Sequence, residues 1–124
     1  MGWAMQETAL LGARGESLVA DWLERQGFTI LSRNYRTRCG EVDIIAERDE
    51  VIAFVEVKTR QHEYFPVSQA VTWPKQQRII KAAKFYVISH QIREKVLRFD
   101  VITVIFEQNQ HKIDHIPNAF QARF

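Results

Sequence analysis

The chain has 124 residues, 46% hydrophobic and 26% charged, with a formal net charge of +2 and a sequence pI near 8.9. This fits one domain over residues 1–124 around one core, leaves no room for a second, and excludes a polybasic protein, so any phosphate-binding surface must come from local clustering. The single cysteine, Cys39, cannot form an internal disulfide or a cysteine-based zinc site, and no apolar run nears the roughly 18–20 residues that span a bilayer, so a cytoplasmic protein without membrane contact is expected.

The opening MGWAMQETALLGARGES lacks a basic-then-apolar leader pattern, and Gln6 breaks the myristoylation pattern that Gly2 would begin. The first periodic run is TALLGARGESLVADWLERQG, residues 8–27. Leu11, Leu18, Val19, Trp22 and Leu23 recur there at helical spacing, and Gly27 supplies a stop, while Gly12 and Gly15 leave the start open. FTILSRNYR (28–36) reads as a strand ending in a basic turn, GEVDIIAE (40–47) as a second strand, and VIAFVEVKTR (51–60) as a third after the short connection RDE. Three strands in succession predict an antiparallel meander. Residues 62–73 read mostly as loop. Thr72 and Pro74 then mark a helix start, and Ile79, Ile80, Ala83, Tyr86 and Val87 form its apolar stripe beside the polar flank of Lys75, Arg78 and Lys81. VLRFDVITVIF (96–106) is a buried-type strand and HKIDHIP (111–117) an edge strand. The expectation is an α/β fold of order α-β-β-β-α-β with one further strand and a helix on each side of a central sheet.

FVEVKTR, residues 54–60, puts a glutamate and a lysine into a strongly β-prone run. Phe54, Glu56 and Lys58 alternate to one face, Val55 and Val57 to the other. Buried charge there needs compensation, either from an ion pair or from a metal ion and a substrate. Asp43 lies in the preceding strand, and suitable register makes Asp43 and Glu56 same-face neighbours. Such close carboxylates raise at least one pKa unless a cation lies between them. Hard oxygen ligands on a rigid sheet suit Mg²⁺ or Mn²⁺, and Lys58 would point into the same site to hold a water or offset phosphate charge. Glu16 borders the buried stripe of the first helix and can reach that end of the sheet. Taken alone, E-x-K in a strand is more often a cross-strand ion pair. A helical Glu, then Asp, then E-x-K, then a basic helix is a more specific arrangement.

GARGESLVA (12–20), NYR (34–36), GEVDII (40–45), FVEVKTR (54–60), RFDV (98–101) and NAF (118–120), in that order over nearly the whole chain, resemble the YraN-like family of small bacterial proteins. That family is similar to the PD-(D/E)XK nucleases, and among them to archaeal Holliday-junction resolvases. The resemblance implies an αβββαβ restriction-endonuclease-like core, a divalent metal, and a metal-dependent DNA endonuclease, structure-specific on branched DNA. A homodimer follows by analogy only. A nuclease fold that binds DNA or a DNA-processing protein without cutting is the alternative. Position by position, Asp43 and Glu56 match the motif acids, Lys58 the motif lysine, and Glu16 the first-helix glutamate that completes the metal site; the Val57 carbonyl would be a further ligand. Val42 stands where the superfamily pattern has proline. Glu41, next door, shares a face with Asp43 by alternation and reads either as a further ligand or, the favoured reading, as a solvated strand-start acid.

Arg33, Arg36 and Arg38 read either as a phosphate clamp beside Asp43 or as a solvated turn. Thr59 and Arg60 would lie at the mouth of the site. Lys75 and Gln76 read either as phosphate contacts at a helix N-terminus or as an ordinary polar helix start. Asp100 is expected to serve a nearby arginine structurally. His62, His90, His111 and His115 are read as non-catalytic, and Trp3, Trp22 and Trp73 as core or surface anchors. GARGE lacks GK[ST] and a preceding strand, which argues against a nucleoside-triphosphate loop.

Overall fold

The computed structural model describes residues 2–61 and 71–122, with the side chains of residues 2–8 and 61 outside that description. Trp3's side chain, His62 and most of the expected loop at 62–73 therefore lie outside the described residues. The elements are α1 (Gly2–Arg25), β1 (Thr29–Arg36), β2 (Glu41–Arg48), β3 (Val51–Gln61), α2 (Trp73–Ser89), β4 (Val96–Glu107) and β5 (Gln110–Phe120). One five-stranded sheet has the order β1-β2-β3-β4-β5, and only the β3–β4 pairing is parallel. This mixed sheet between two helices is consistent with a restriction-endonuclease-like core.

Local chemistry accounts for the element ends. α1 starts at Gly2, before the periodic run at 8–27 whose helix start the sequence left open, so Gly12 and Gly15 are carried inside the helix. It stops at Gly27, whose φ of 92° allows the Phe28 amide to reach the Leu23 carbonyl and the Gly27 amide the Glu24 carbonyl, each at 3.0 Å. Thr72 caps α2, with Pro74 in its first turn, as predicted. Gln108 and Asn109 both take positive φ (43° and 66°), the twist that a two-residue hairpin between β4 and β5 requires. β5 is longer than expected and forms the sheet edge, where Pro117 costs no interior ladder bond.

The helices cover opposite faces. Val19, Ala20 and Leu23 of α1 pack on Ile44, Ala46, Ala53, Val55, Ile102 and Val104. Ile79, Ile80, Ala82, Ala83 and Tyr86 of α2 pack on Val42, Ile45, Ile52, Phe54, Phe99 and Val101. Two glycines permit the close approach. A Cβ on Gly15 would strike the Thr59 hydroxyl, and one on Gly40 would strike the Arg78 carbonyl of α2. Trp22 is half-buried, edge-on to His115, whereas Trp73 is exposed. No helix among the described residues is long and apolar enough to cross a membrane.

Candidate active site

β3 carries the alternation expected of it: Ile52 and Phe54 face α2, while Ala53, Val55 and Val57 face α1. β2 does not. Val42 and Ile45 both pack on the α2 side, and Ile44 and Ala46 on the α1 side, so the alternation breaks at Asp43. The β2–β3 ladder runs from Arg48↔Val51 to Ile44↔Val55 and ends there. One step further, Asp43 Oδ2 accepts the Val57 amide at 2.8 Å in place of a backbone carbonyl. Asp43 and Glu56 do meet, but across this break rather than as the simple same-face pair that strict alternation predicts.

The acids gather at a cleft of about 290 Å³ lined by Leu11, Gly12 and Glu16 of α1, Glu41 and Asp43 of β2, Glu56 through Arg60 of β3, and Lys75 of α2. Burial and the neighbouring Asp43 push the Glu56 carboxyl up to about 7, against the pull of Lys75. Burial and Asp43 likewise raise Glu16, with Arg33 opposing. Asp43 is thus the acid that the carboxyls from both helix-covered sides feel. Burial and the adjacent Lys75 push Lys58 down to about 8. Glu56 answers its charge with Lys75, whose Nζ lies 3.0 Å from Oε1. The ion pair is made to α2, on the face that Glu56 shares with Phe54, and not to Lys58 in the same strand. Lys75 stays above its ordinary value: burial works against it, and contact with Lys58 and Glu56 outweighs burial.

Glu16 Oε1 is buried and accepts no hydrogen bond; Arg33 Nη2 stands 3.7 Å away and donates instead to Ser17 Oγ at 3.2 Å. A buried carboxylate oxygen that accepts no hydrogen bond and has only the distant Arg33 ion pair, together with two mutually repelling acids, is a donor set that suits a hard cation. Among the described residues, no three Asp, Glu, His or Cys side chains converge closely enough to form a complete cage. Such a site fits Mg²⁺ or Mn²⁺, which keep waters and need only one or two carboxylates. Asp43 and Glu56 are the side chains that could hold it, with the Val57 carbonyl beside them and Glu16 across the cleft.

Of the residues expected to touch phosphate, Thr59, Arg60 and Lys75 line the cleft. Arg33 is drawn to Glu16 and Ser17, Arg36 pairs with Glu41 at 3.4 Å, and Arg38 is exposed in the turn that Thr37 ties to Gly40. Gln76 donates to the Val71 carbonyl at 3.1 Å and so braces the start of α2. Asp100 is fully buried, doubly bonded to Arg98 at 2.9 Å and bonded to His115 Nε2 at 2.8 Å and the Asn118 amide at 3.0 Å, a structural hub as expected. Sequence reasoning did not find the Lys75–Glu56 contact or the close approaches of Gly15 and Gly40. A glycine immediately before Glu41 was the one available signal for the second of these.

The fold and the cleft define an α/β protein, a five-stranded mixed sheet between two helices, with a carboxylate–lysine cluster at one end of its sheet. The chain belongs to the uncharacterised protein family UPF0102, the YraN-like family, whose model matches residues 15–104. That span includes Glu16, Asp43, Glu56, Lys58 and Lys75 and stops short of β5. The chain is 45% identical to the UPF0102 protein of Geobacter metallireducens over 115 residues, 92% of this chain and 94% of that one. It is 41% identical to the UPF0102 protein of Myxococcus xanthus over 112 residues (90% and 89%) and 46% identical to that of Alkaliphilus oremlandii over 113 residues (89% and 97%). None of these names states an activity.

Proposed function

We propose that this protein is a metal-dependent endonuclease that hydrolyses DNA phosphodiester bonds at this cleft, with branched DNA as its substrate. The observation that carries the reading is the convergence of Asp43, a Glu56 raised to about 7 and a Lys58 lowered to about 8 in one open cleft. Mg²⁺ or Mn²⁺ bound by Asp43, Glu56 and the Val57 carbonyl would supply Lewis-acid stabilisation of the phosphate and activation of water. Lys58 would orient that water by donating to it, and the lowering of its pKa by burial and Lys75 leaves a minority neutral fraction near neutral pH that could take up a proton. Glu16 supplies a further acceptor from the α1 side. Thr59 and Arg60 contact the DNA backbone at the mouth, and Arg33, Arg36 and Arg38 lie outside the reacting centre and extend that contact, while Gln76 braces the start of α2. Two copies acting as a homodimer would cut the two strands of a junction.

A specific observation favours a second reading. The Lys75 ammonium already neutralises Glu56, which suits a nuclease fold that binds DNA, or a DNA-processing protein, without cutting. The test is incubation of the purified protein with linear duplex, single-stranded, flap and four-way-junction DNA, in Mg²⁺ or Mn²⁺ against EDTA. Metal-dependent cutting that is absent from the Asp43→Ala/Glu56→Ala protein and strongly reduced in Lys58→Ala is expected. Binding without cutting by either protein would move the assignment to the second reading.

A further inference from the structure

Lys75 stands where the cleft most needs positive charge. Its ammonium is 3.0 Å from Glu56 Oε1, and the Glu56 side chain is only 7% exposed against 38% for Lys75. The two partners differ in freedom. Glu56 is fixed on a central strand between β2 and β4. The Lys75 backbone is also fixed, since its amide donates to Thr72 Oγ1 at 3.4 Å beside Pro74, but its charge rides on a flexible four-carbon stem that reaches solvent. The pairing also has a cost. It neutralises Glu56 while setting Lys75 against Lys58, so one attraction is held against a repulsion, just as Asp43 is held against Glu56. A divalent cation between Asp43 and Glu56 would relieve the second repulsion and, by its own charge, drive the ammonium off Oε1. The freed lysine would then stand beside Lys58 at the cleft, where a phosphate oxygen would meet both.

Resting on the nuclease reading above, we propose that Lys75 is a resident counter-ion that competes with the divalent cation for Glu56 and is released toward the substrate phosphate when the cation binds. Lys75 is thus a positioning residue, coupling metal occupancy to capture of DNA. The test measures Mn²⁺ binding to the full chain by electron paramagnetic resonance, without DNA, for wild type, Lys75→Met, Lys75→Arg and Glu56→Gln. Lys75→Met should bind Mn²⁺ about tenfold or more tightly, because a neighbouring positive charge is gone, while Lys75→Arg should stay near wild type and Glu56→Gln should bind weakly. With Mn²⁺ saturating, Lys75→Met should raise the KM for DNA more than it lowers kcat. Unchanged or weaker Mn²⁺ binding by Lys75→Met, in a background where wild type binds and cuts, overturns the competition and leaves the nuclease reading intact. No Mn²⁺ binding by wild type or Lys75→Met at millimolar concentration overturns both. If Lys75→Met fails to fold, Lys75→Gln carries the same comparison.

Discussion

Replacing Glu56 with Gln separates a functional carboxylate from a structural one. The side chain keeps its shape and loses its charge. A rise of the Glu56 carboxyl from 4.5 to about 7 means that the folded protein holds this proton more tightly than the unfolded chain does. Stability therefore falls as pH rises through that window, and ionised Glu56 weighs on the fold above it. At about 1.4 kcal/mol per tenfold, the penalty at pH 8 is about 3 kcal/mol. The substitution removes that penalty and leaves Lys75 without its partner. That penalty is already net of the attraction of Lys75, so no further cost is charged for the lost pair. The net expectation is a gain of about 3 kcal/mol at pH 8 and less than about 1 kcal/mol at pH 5. Urea unfolding of both proteins in EDTA at those two pH values reads the difference directly. A loss at pH 8 on the order of 3 kcal/mol or more would refute the reasoning, because it would mean that the buried Glu56–Lys75 pair holds the fold together.

Asp100→Asn should cost about 3 kcal/mol or more at pH 7, because Arg98 loses the anion to which it is doubly bonded in a buried site, and chemical denaturation measures this. Burial tends to raise Asp100, but His115, Arg98 and the Asn118 amide outweigh it and leave the carboxyl below 3.8. Its contribution is therefore present above that pH and lost as pH falls through the lower folded value, so acid unfolding of Asp100→Asn should be flatter below about pH 4 than that of wild type. Gly40→Ala should lose about 1–3 kcal/mol in a thermal melt, since its new methyl meets a backbone carbonyl that cannot turn away. Gly15→Ala meets only the Thr59 side chain, so adding Thr59→Ala should restore most of its stability, as a double-mutant cycle would read.

The sequence made some of this legible and hid the rest, for physical reasons. Signals confined to a few neighbouring residues read correctly: the Thr72 cap, the Gly27 stop, and the alternation that turns Glu56 and Lys58 away from Val55 and Val57. The gathering of Glu16, Asp43 and Glu56 at one cleft also followed, because a stripe on the first helix and two hairpin-linked strands fix it. The break at Asp43 was not legible. An apolar run such as VDIIA reads the same whether its alternation is strict or slips by one, and only packing on both helices decides which residue faces where. Lys75 looked like any polar residue opening a helix. Its contact with Glu56 depends on how the chain crosses from β3 to α2, and no local pattern encodes that path. The start of α1 stayed open for a related reason: glycine's weak helix propensity is overridden at Gly15, where the absence of a side chain admits Thr59.

The order of the strands has a consequence for how the protein folds. Neighbours in the sheet are also neighbours in the chain, so three of the four pairings can zip from adjacent turns with little entropy lost to loop closure. The exception is the parallel pairing of β3 with β4, which must wait for the whole crossover that carries α2. Glu56 lies on β3, and Lys75 lies in the crossover itself, at the start of α2. A chain halted after the β1–β2–β3 meander would thus carry Asp43 and Glu56 without the lysine that answers them. The slow, non-local step of folding is also the step that completes the cleft.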